Sequence, residues 1–172
     1  MAKKAHEKIP HAKMLLVALR SVGYTNNTAI ADIVDNSVSG AATEIELYFD
    51  WDNRRIIIAD NGFGMDYQEL MDAMEIGAAD PNEMRPLEDL GRFGLGMKTA
   101  SFSMAKKLLV ISKKKSIVSN AEWNLDAVTF EDKWKISEYD ETEMLMILES
   151  INTYTQYNNW EQGTLIIISE LA

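Results

Sequence analysis

Cysteine is absent from all 172 residues. That excludes a disulfide framework, a thiolate metal site and a thiol nucleophile. No uninterrupted apolar run approaches the roughly 18 residues a membrane span needs. The first eight residues, Met1 to Lys8, are polar and basic with no apolar signal core behind them. These absences lead us to expect a soluble cytoplasmic protein without a membrane partner. Positive charge is also in short supply, 17 Lys and Arg against 27 Asp and Glu for a formal net charge of -10, which argues against broad nucleic-acid binding by this chain. Internal repeats and low-complexity segments are missing as well. What is present is a 47% hydrophobic content, enough to bury one sizeable core, so residues 1–172 are read as a single domain.

The hydrophobic periods divide the chain into helices and strands. Met14, Leu15, Val17, Ala18 and Val22 recur at helical spacing and would face inward, with Gly23 as a stop. Thr25, Asn26 or Asn27 is placed to cap a second helix reaching about Val38, with Ile30, Ile33 and Val34 on one face and Gly40 ending it. Residues 44–50 alternate, residues 55–60 contain three consecutive isoleucines, and Asp52-Asn53 between them predicts a hairpin. A helix opening at Asp66 or Tyr67 would bury Leu70, Met71, Met74 and Ile76. The stretch from Gly77 to Leu90 has two prolines and no period, the pattern of a mobile loop.

A helix over about 94–106, paired strands at 107–112 and 116–123, a helix at 141–151 and a closing strand at 164–169 complete the reading. Helices interspersed with mostly antiparallel strands predict an α+β fold, a two-layer sandwich with a mixed, mainly antiparallel sheet and helices on one face. Lys113, Lys114 and Lys115 form the one dense basic cluster and read as a solvated turn. Trp51, Trp123, Trp134 and Trp160 are assigned to core or edge packing. Met71, Met74, Met144 and Met146 are assigned to filling gaps in the core.

Three constellations bear on chemistry. On the second helix, Asp32 and Asn36 stand four residues apart and so project from one face. A carboxylate and a carboxamide there can orient a water and ligate Mg²⁺, which prefers oxygen ligands; the competing reading is a solvated acidic face. Directly after a strand comes Asp60-Asn61-Gly62-Phe63-Gly64-Met65. The strand-end carboxylate can accept a hydrogen bond from an adenine amine while the glycines let the loop mould to the base, although Asn61-Gly62 also suits a tight turn.

The third is Gly91-Arg92-Phe93-Gly94-Leu95-Gly96-Met97-Lys98, a glycine loop entering a helix. Exposed amides, a helix N-terminus and the Lys98 charge make an anion site, with a glycine-rich structural turn as the alternative. Met97 separates Gly96 from Lys98, so the loop is not a Walker A motif, and its spacing also fails the dinucleotide fingerprint.

Asp32-x-x-x-Asn36, Asp60-x-Gly62-x-Gly64 and Gly91 to Gly96, in this order, resemble the N, G1 and G2 boxes of GHKL ATPases. Gly163-Thr164 resembles that family's terminal Gly-Thr. The resemblance spans about residues 13–171. The stretch from Leu15 to Ala42 and the run Lys98 to Phe102 are most similar to the microrchidia (MORC)-like and related bacterial histidine kinase-like branch.

The resemblance implies a Bergerat α/β sandwich that binds ATP with Mg²⁺. Asn36 would ligate the metal and Asp60 the adenine amine. Thr164 would support the base through a water, while Gly62, Gly64 and Met65 shape its pocket. Gly91, Arg92, Phe93, Gly94, Leu95, Gly96 and Met97 would cradle the phosphates, with Lys98 as a nearby cation and residues 77–90 as the ATP lid. Asp32 stands where a catalytic glutamate is usual, one methylene shorter, and Ser39-Gly40 replaces a common aspartate and small residue.

On this basis we expect an ATP-binding domain with Mg²⁺-dependent hydrolysis that works as a conformational and dimerisation switch. It would be the N-terminal part of a longer, ATP-dependent homodimer, with nucleic acid reached only through domains outside this chain. The alternative is a nucleotide-binding module that does not hydrolyse and presents a surface to partners. A histidine-kinase reading is weaker, because His6 and His11 sit in no recognisable dimerisation helix pair and position 32 would more often be Asn.

Overall fold

The computed structural model describes residues 6, 8–21, 25–76 and 96–171. Its elements in chain order are α1 (Ala12–Arg20), α2 (Asn26–Ser39), β1 (Ile45–Asp50), β2 (Arg55–Asp60), α3 (Tyr67–Met74), α4 (Gly96–Met104), β3 (Ala105–Lys114), β4 (Ile117–Asn124), α5 (Leu125–Glu131), β5 (Ile136–Ser137), α6 (Glu141–Ile151) and β6 (Gly163–Leu171). A 3₁₀ turn, Tyr157–Asn159, precedes β6. The strands form one sheet in the order β1-β2-β6-β3-β4-β5. Every neighbouring pair is antiparallel, so the sheet is not mixed.

Local chemistry sets the element ends. The Thr25 hydroxyl caps α2 by accepting from the Thr28 N–H at 3.2 Å, and Gly40 closes it. Asp66 and Glu69 form a reciprocal capping box at the start of α3, as Asp140 and Glu143 do for α6. In the β1–β2 turn the Asp50 carboxylate accepts from the Asn53 amide and from Arg55 Nε at 2.7 Å. The Asn53 contact leads in holding the Asp50 pKa below its usual value.

The strands β2, β3 and β6 are buried on both faces, which explains their unbroken apolar runs. Ile56, Ile58, Leu108, Val110, Ile166 and Ile168 point to one side and pack with Leu16, Ile33, Leu70, Phe102 and Leu125 from α1 to α5. Ile57, Ala59, Leu109, Ile111, Leu165 and Ile167 point to the other, against Leu148 and Ile151 of α6 and Tyr157. The expected α+β sandwich is therefore present with an added layer. Helices cover both faces, because α6 and the 3₁₀ turn lie across the side the sequence pattern left open.

Several expectations about individual faces need correction. In α1 the buried residues are Ala12 and Leu16, whereas Met14, Leu15 and Val17 are 65%, 37% and 58% exposed. That helix is apolar almost all round, so its period could not select the face. Met146 and Trp51 are exposed as well, Trp51 stacking on Phe49 with centroids 5.4 Å apart. Trp123 is core, edge-to-face with Phe102 and Trp134.

Of the 113–115 cluster only Lys115 lies in the turn, where it and Ser116 take positive φ; Lys113 and Lys114 end β3 and have defined partners. Lys113 Nζ donates to the Trp160 carbonyl at 2.7 Å and sits 5.0 Å from the Tyr157 ring centroid. Lys114 pairs with Glu69 at 2.6 Å.

Candidate nucleotide site

The site is built where three neighbouring strands share one end. The β2–β6 register sets Asp60 opposite Thr164, and the β3–β6 register sets Ser112 opposite Thr164. Asp60 is only 5% exposed, and a buried carboxylate requires donors. Oδ1 accepts from the Gly62 N–H at 2.9 Å and the Thr164 N–H at 3.3 Å. Oδ2 accepts from the Ser37 hydroxyl of α2 at 2.8 Å. An ionised carboxylate offers about four lone-pair positions. Among the described residues three are filled by protein donors, which leaves one acceptor position on Oδ2.

Ser112 is fully buried, and its Oγ accepts from the Met65 N–H at 2.8 Å. The same Oγ lies 3.2 Å from the Gly163 carbonyl and 3.1 Å from Thr164 Oγ1. One proton arrangement satisfies all three contacts, with Ser112 donating to Gly163 and Thr164 donating to Ser112. Thr164 Oγ1 then keeps its acceptor lone pairs for a water or ligand.

The glycines permit close backbone approaches that a side chain would block. A Cβ on Gly62 would lie 2.6 Å from the Gly40 carbonyl oxygen, and one on Gly64, at φ +65, would lie 2.0 Å from the Lys113 carbonyl oxygen. Gly163, at φ +143, would meet the Asp60 carbonyl oxygen at 1.9 Å. These positions let the loop after β2 press on the protein's own backbone, at the end of α2 and along β3. Asn61 fixes the same loop, its Oδ1 accepting from the Thr43 and Glu44 N–H groups at 2.9 Å each.

Above this floor, α2 turns Ala29, Ile33 and Ser37 into the core. Asp32, half-buried, and Asn36, exposed, lie beside that stripe. Gly40, read from the sequence as the end of α2 and as a departure from the family pattern, accepts from the Phe63 N–H at 2.9 Å.

Of the expected phosphate loop, Gly91, Arg92, Phe93, Gly94 and Leu95 fall outside the described residues, as does the expected lid at 77–90. Gly96 opens α4. Met97 packs against the main core. Lys98 is 2% exposed, and its Nζ donates to the carbonyls of Ala73 at 2.7 Å and Glu75 at 2.5 Å. Trp123 Nε1 donates to the intervening Met74 carbonyl at 3.0 Å. Together they satisfy the last carbonyls of α3, which ends without a glycine cap. Burial lowers the Lys98 pKa to about 8, with Glu75 opposing the shift.

The residues missed from sequence are Ser37 and Ser112. A serine carries no motif signal, although Ser37 does follow Ala29 and Ile33 at helical spacing. No group of three or more His, Cys, Asp or Glu poised to hold a metal occurs among the described residues, and no described helix is long and apolar enough to cross a membrane.

An antiparallel sheet ending in a buried aspartate, with the Asp32 and Asn36 helix packed over it, defines the class as an α+β ATP-binding domain of GHKL type. The chain belongs to the family of histidine kinase-, DNA gyrase B- and HSP90-like ATPases, whose model matches residues 24–161. It is similar to ATPase morc-1 of Caenorhabditis elegans, 29% identical over 119 residues, covering 66% of this chain and 14% of that protein. It is also similar to ATPase MORC2B of Mus musculus, 26% identical over 108 residues, covering 56% of this chain and 10% of that protein. Both of these relatives are MORC ATPases. The chain thus spans only a small part of the length of these relatives.

Proposed function

We propose that this single domain holds ATP by its adenine amine at Asp60 and hydrolyses it with Mg²⁺, with ATP occupancy switching the conformation and pairing of the longer protein. The observation that carries this reading is the Asp60 carboxylate, fixed by three donors among the described residues, which leave one acceptor position open on Oδ2. Thr164 Oγ1, left as an acceptor by Ser112, suits a water beneath the base. Adenine presents a donor to such a site and guanine presents a carbonyl. GTP should therefore compete at least about 10²-fold more weakly than ATP, since a site built for one hydrogen-bonding pattern rejects its opposite. Equal competition by GTP and ATP would remove the adenine assignment.

Mg²⁺ usually takes one or two protein oxygens and otherwise waters and substrate phosphates. The exposed carboxamide of Asn36, one turn from Asp32 on α2, fits that donor set. When bound, the metal neutralises phosphate charge. Asn36 would hold it through its amide oxygen, and Asp32 would accept the proton of the attacking water. Asp32→Asn should retain AMP-PNP binding and lower turnover by about 10²-fold or more. Undiminished turnover in that variant would end its role as the base.

A second reading rests on the same residue. An aspartate withdraws the carboxylate by about 1.5 Å relative to glutamate, and a shift of about 1 Å can cost roughly 10²-fold in rate. In that reading the domain binds ATP without hydrolysing it and presents a surface to partners. Hydrolysis above background in a longer form of the protein excludes it.

A further inference from the structure

The far end of the sheet carries a second polar site. Five residues along β2 from Asp60, about 17 Å at strand rise, a cavity of about 470 Å³ opens between Arg20, Asn53, Arg54, Lys106, Ser169 and Glu170. The residues come from the end of α1, the β1–β2 turn, the start of β3 and the end of β6. The space is half open to solvent and lined mainly by polar and charged residues, which suits a small charged ligand.

Its charge is opposite to that of the chain. Glu170 is paired with Lys107 at 2.7 Å and Lys106 with Asp126 at 3.0 Å. Among the lining residues Arg20, Arg54 and Lys106 stand against Glu170, an excess of two positive charges in a chain of formal net charge -10. Arg54 is held in place from both sides. Its guanidinium donates to the Leu171 carbonyl, and its own carbonyl accepts from the Leu171 N–H at 3.2 Å. That contact uses one of five guanidinium donors. The Lys106–Asp126 pair is exposed on both partners, 47% and 62%, and such pairs exchange readily for a better partner. Arg54 and Glu170 both adopt positive φ, 50 and 57, conformations that non-glycine residues seldom take without a local reason.

We propose that this cavity binds the phosphate dianion of a phosphorylated small molecule, with Arg20 and Arg54 as the forked donors and Lys106 as the compact cation. A dianion matches the excess charge, and the planar guanidinium suits phosphate oxygens. The site is independent of the nucleotide reading, because none of its residues contacts the Asp60 network.

The test is an amide-resolved NMR titration at constant ionic strength with inorganic phosphate, ribose 5-phosphate and chloride. The expected result is saturable shifts at Asn53, Arg54, Ser169 and Glu170 with both phosphates and none with chloride. Arg20→Gln should weaken them by about tenfold or more, and Lys106→Gln, at an exposed position, provides a second variant. Tighter binding of ribose 5-phosphate than of inorganic phosphate marks an ester ligand, and equal binding marks free phosphate. Shifts that follow chloride equally, fail to saturate or persist unchanged in both variants overturn the proposal.

Discussion

Asp60 takes its donors from three separate segments, the end of α2, the loop after β2 and the start of β6, so single residues there report on the site and on the fold separately. Ser37→Ala removes one donor and leaves Asp60 two others. It should weaken AMP-PNP binding by roughly tenfold at a stability cost of about 1 kcal/mol, read by calorimetric titration beside a urea curve. Gly64→Ala acts on the fold, since it imposes a left-handed backbone and a 2.0 Å approach to the Lys113 carbonyl oxygen. A loss of at least about 2 kcal/mol is expected in the same urea curve.

Lys98 makes a pH prediction. Its folded pKa of about 8 lies below its ordinary 10.5, so between those values the unfolded chain binds the extra proton and stability rises with pH. Wild type should gain on Lys98→Met as pH climbs from about 8 to about 10 in paired denaturation curves. A flat difference contradicts the lowering of the Lys98 pKa by burial. At this scale Asp60, Gly62 and Gly64 were legible because carboxylates and glycines are informative at strand ends. The roles of Ser37, Ser112 and Lys98 were not, because they depend on which backbone atoms the fold delivers to them.

Among elements, α6 has the clearest consequence. It was legible as a helix over 141–151, and the capping box and apolar content agree with what forms. Its position was not legible, because a continuous run such as Leu165 to Ile168 says that both faces are buried without saying what covers each. Ile151 is fully buried against Ile57, Leu109 and Leu165. Ile151→Ala should cost about 2–5 kcal/mol in chemical denaturation while sparing the Asp60 network on its strand end.

Elements shorter than two turns escaped the periodic reading. The seven-residue α5 and two-residue β5 offer too few positions for a period to emerge. The α1 face was misread for the opposite reason, since apolar residues occur all around that helix. The β1–β2 hairpin formed where its turn pair and three isoleucines place it, but the alternation of β1 did not give a buried face, since Leu47, Tyr48 and Phe49 are all exposed and Asp50 is buried.

Over the whole molecule, one sheet carries two chemically different ends. The end at Asp60, Ser112 and Thr164 presents fixed acceptors beneath α2, and the end at Arg54 and Ser169 presents cations. The central claim concerns the first end, that adenine is read by the open acceptor of Asp60. The most direct test is calorimetric titration of AMP-PNP, with Mg²⁺, into wild type and Asp60→Asn, with unfolding curves showing both to be folded. Saturable binding by wild type and its loss in Asp60→Asn is the predicted result; binding of equal affinity by the folded variant contradicts the account.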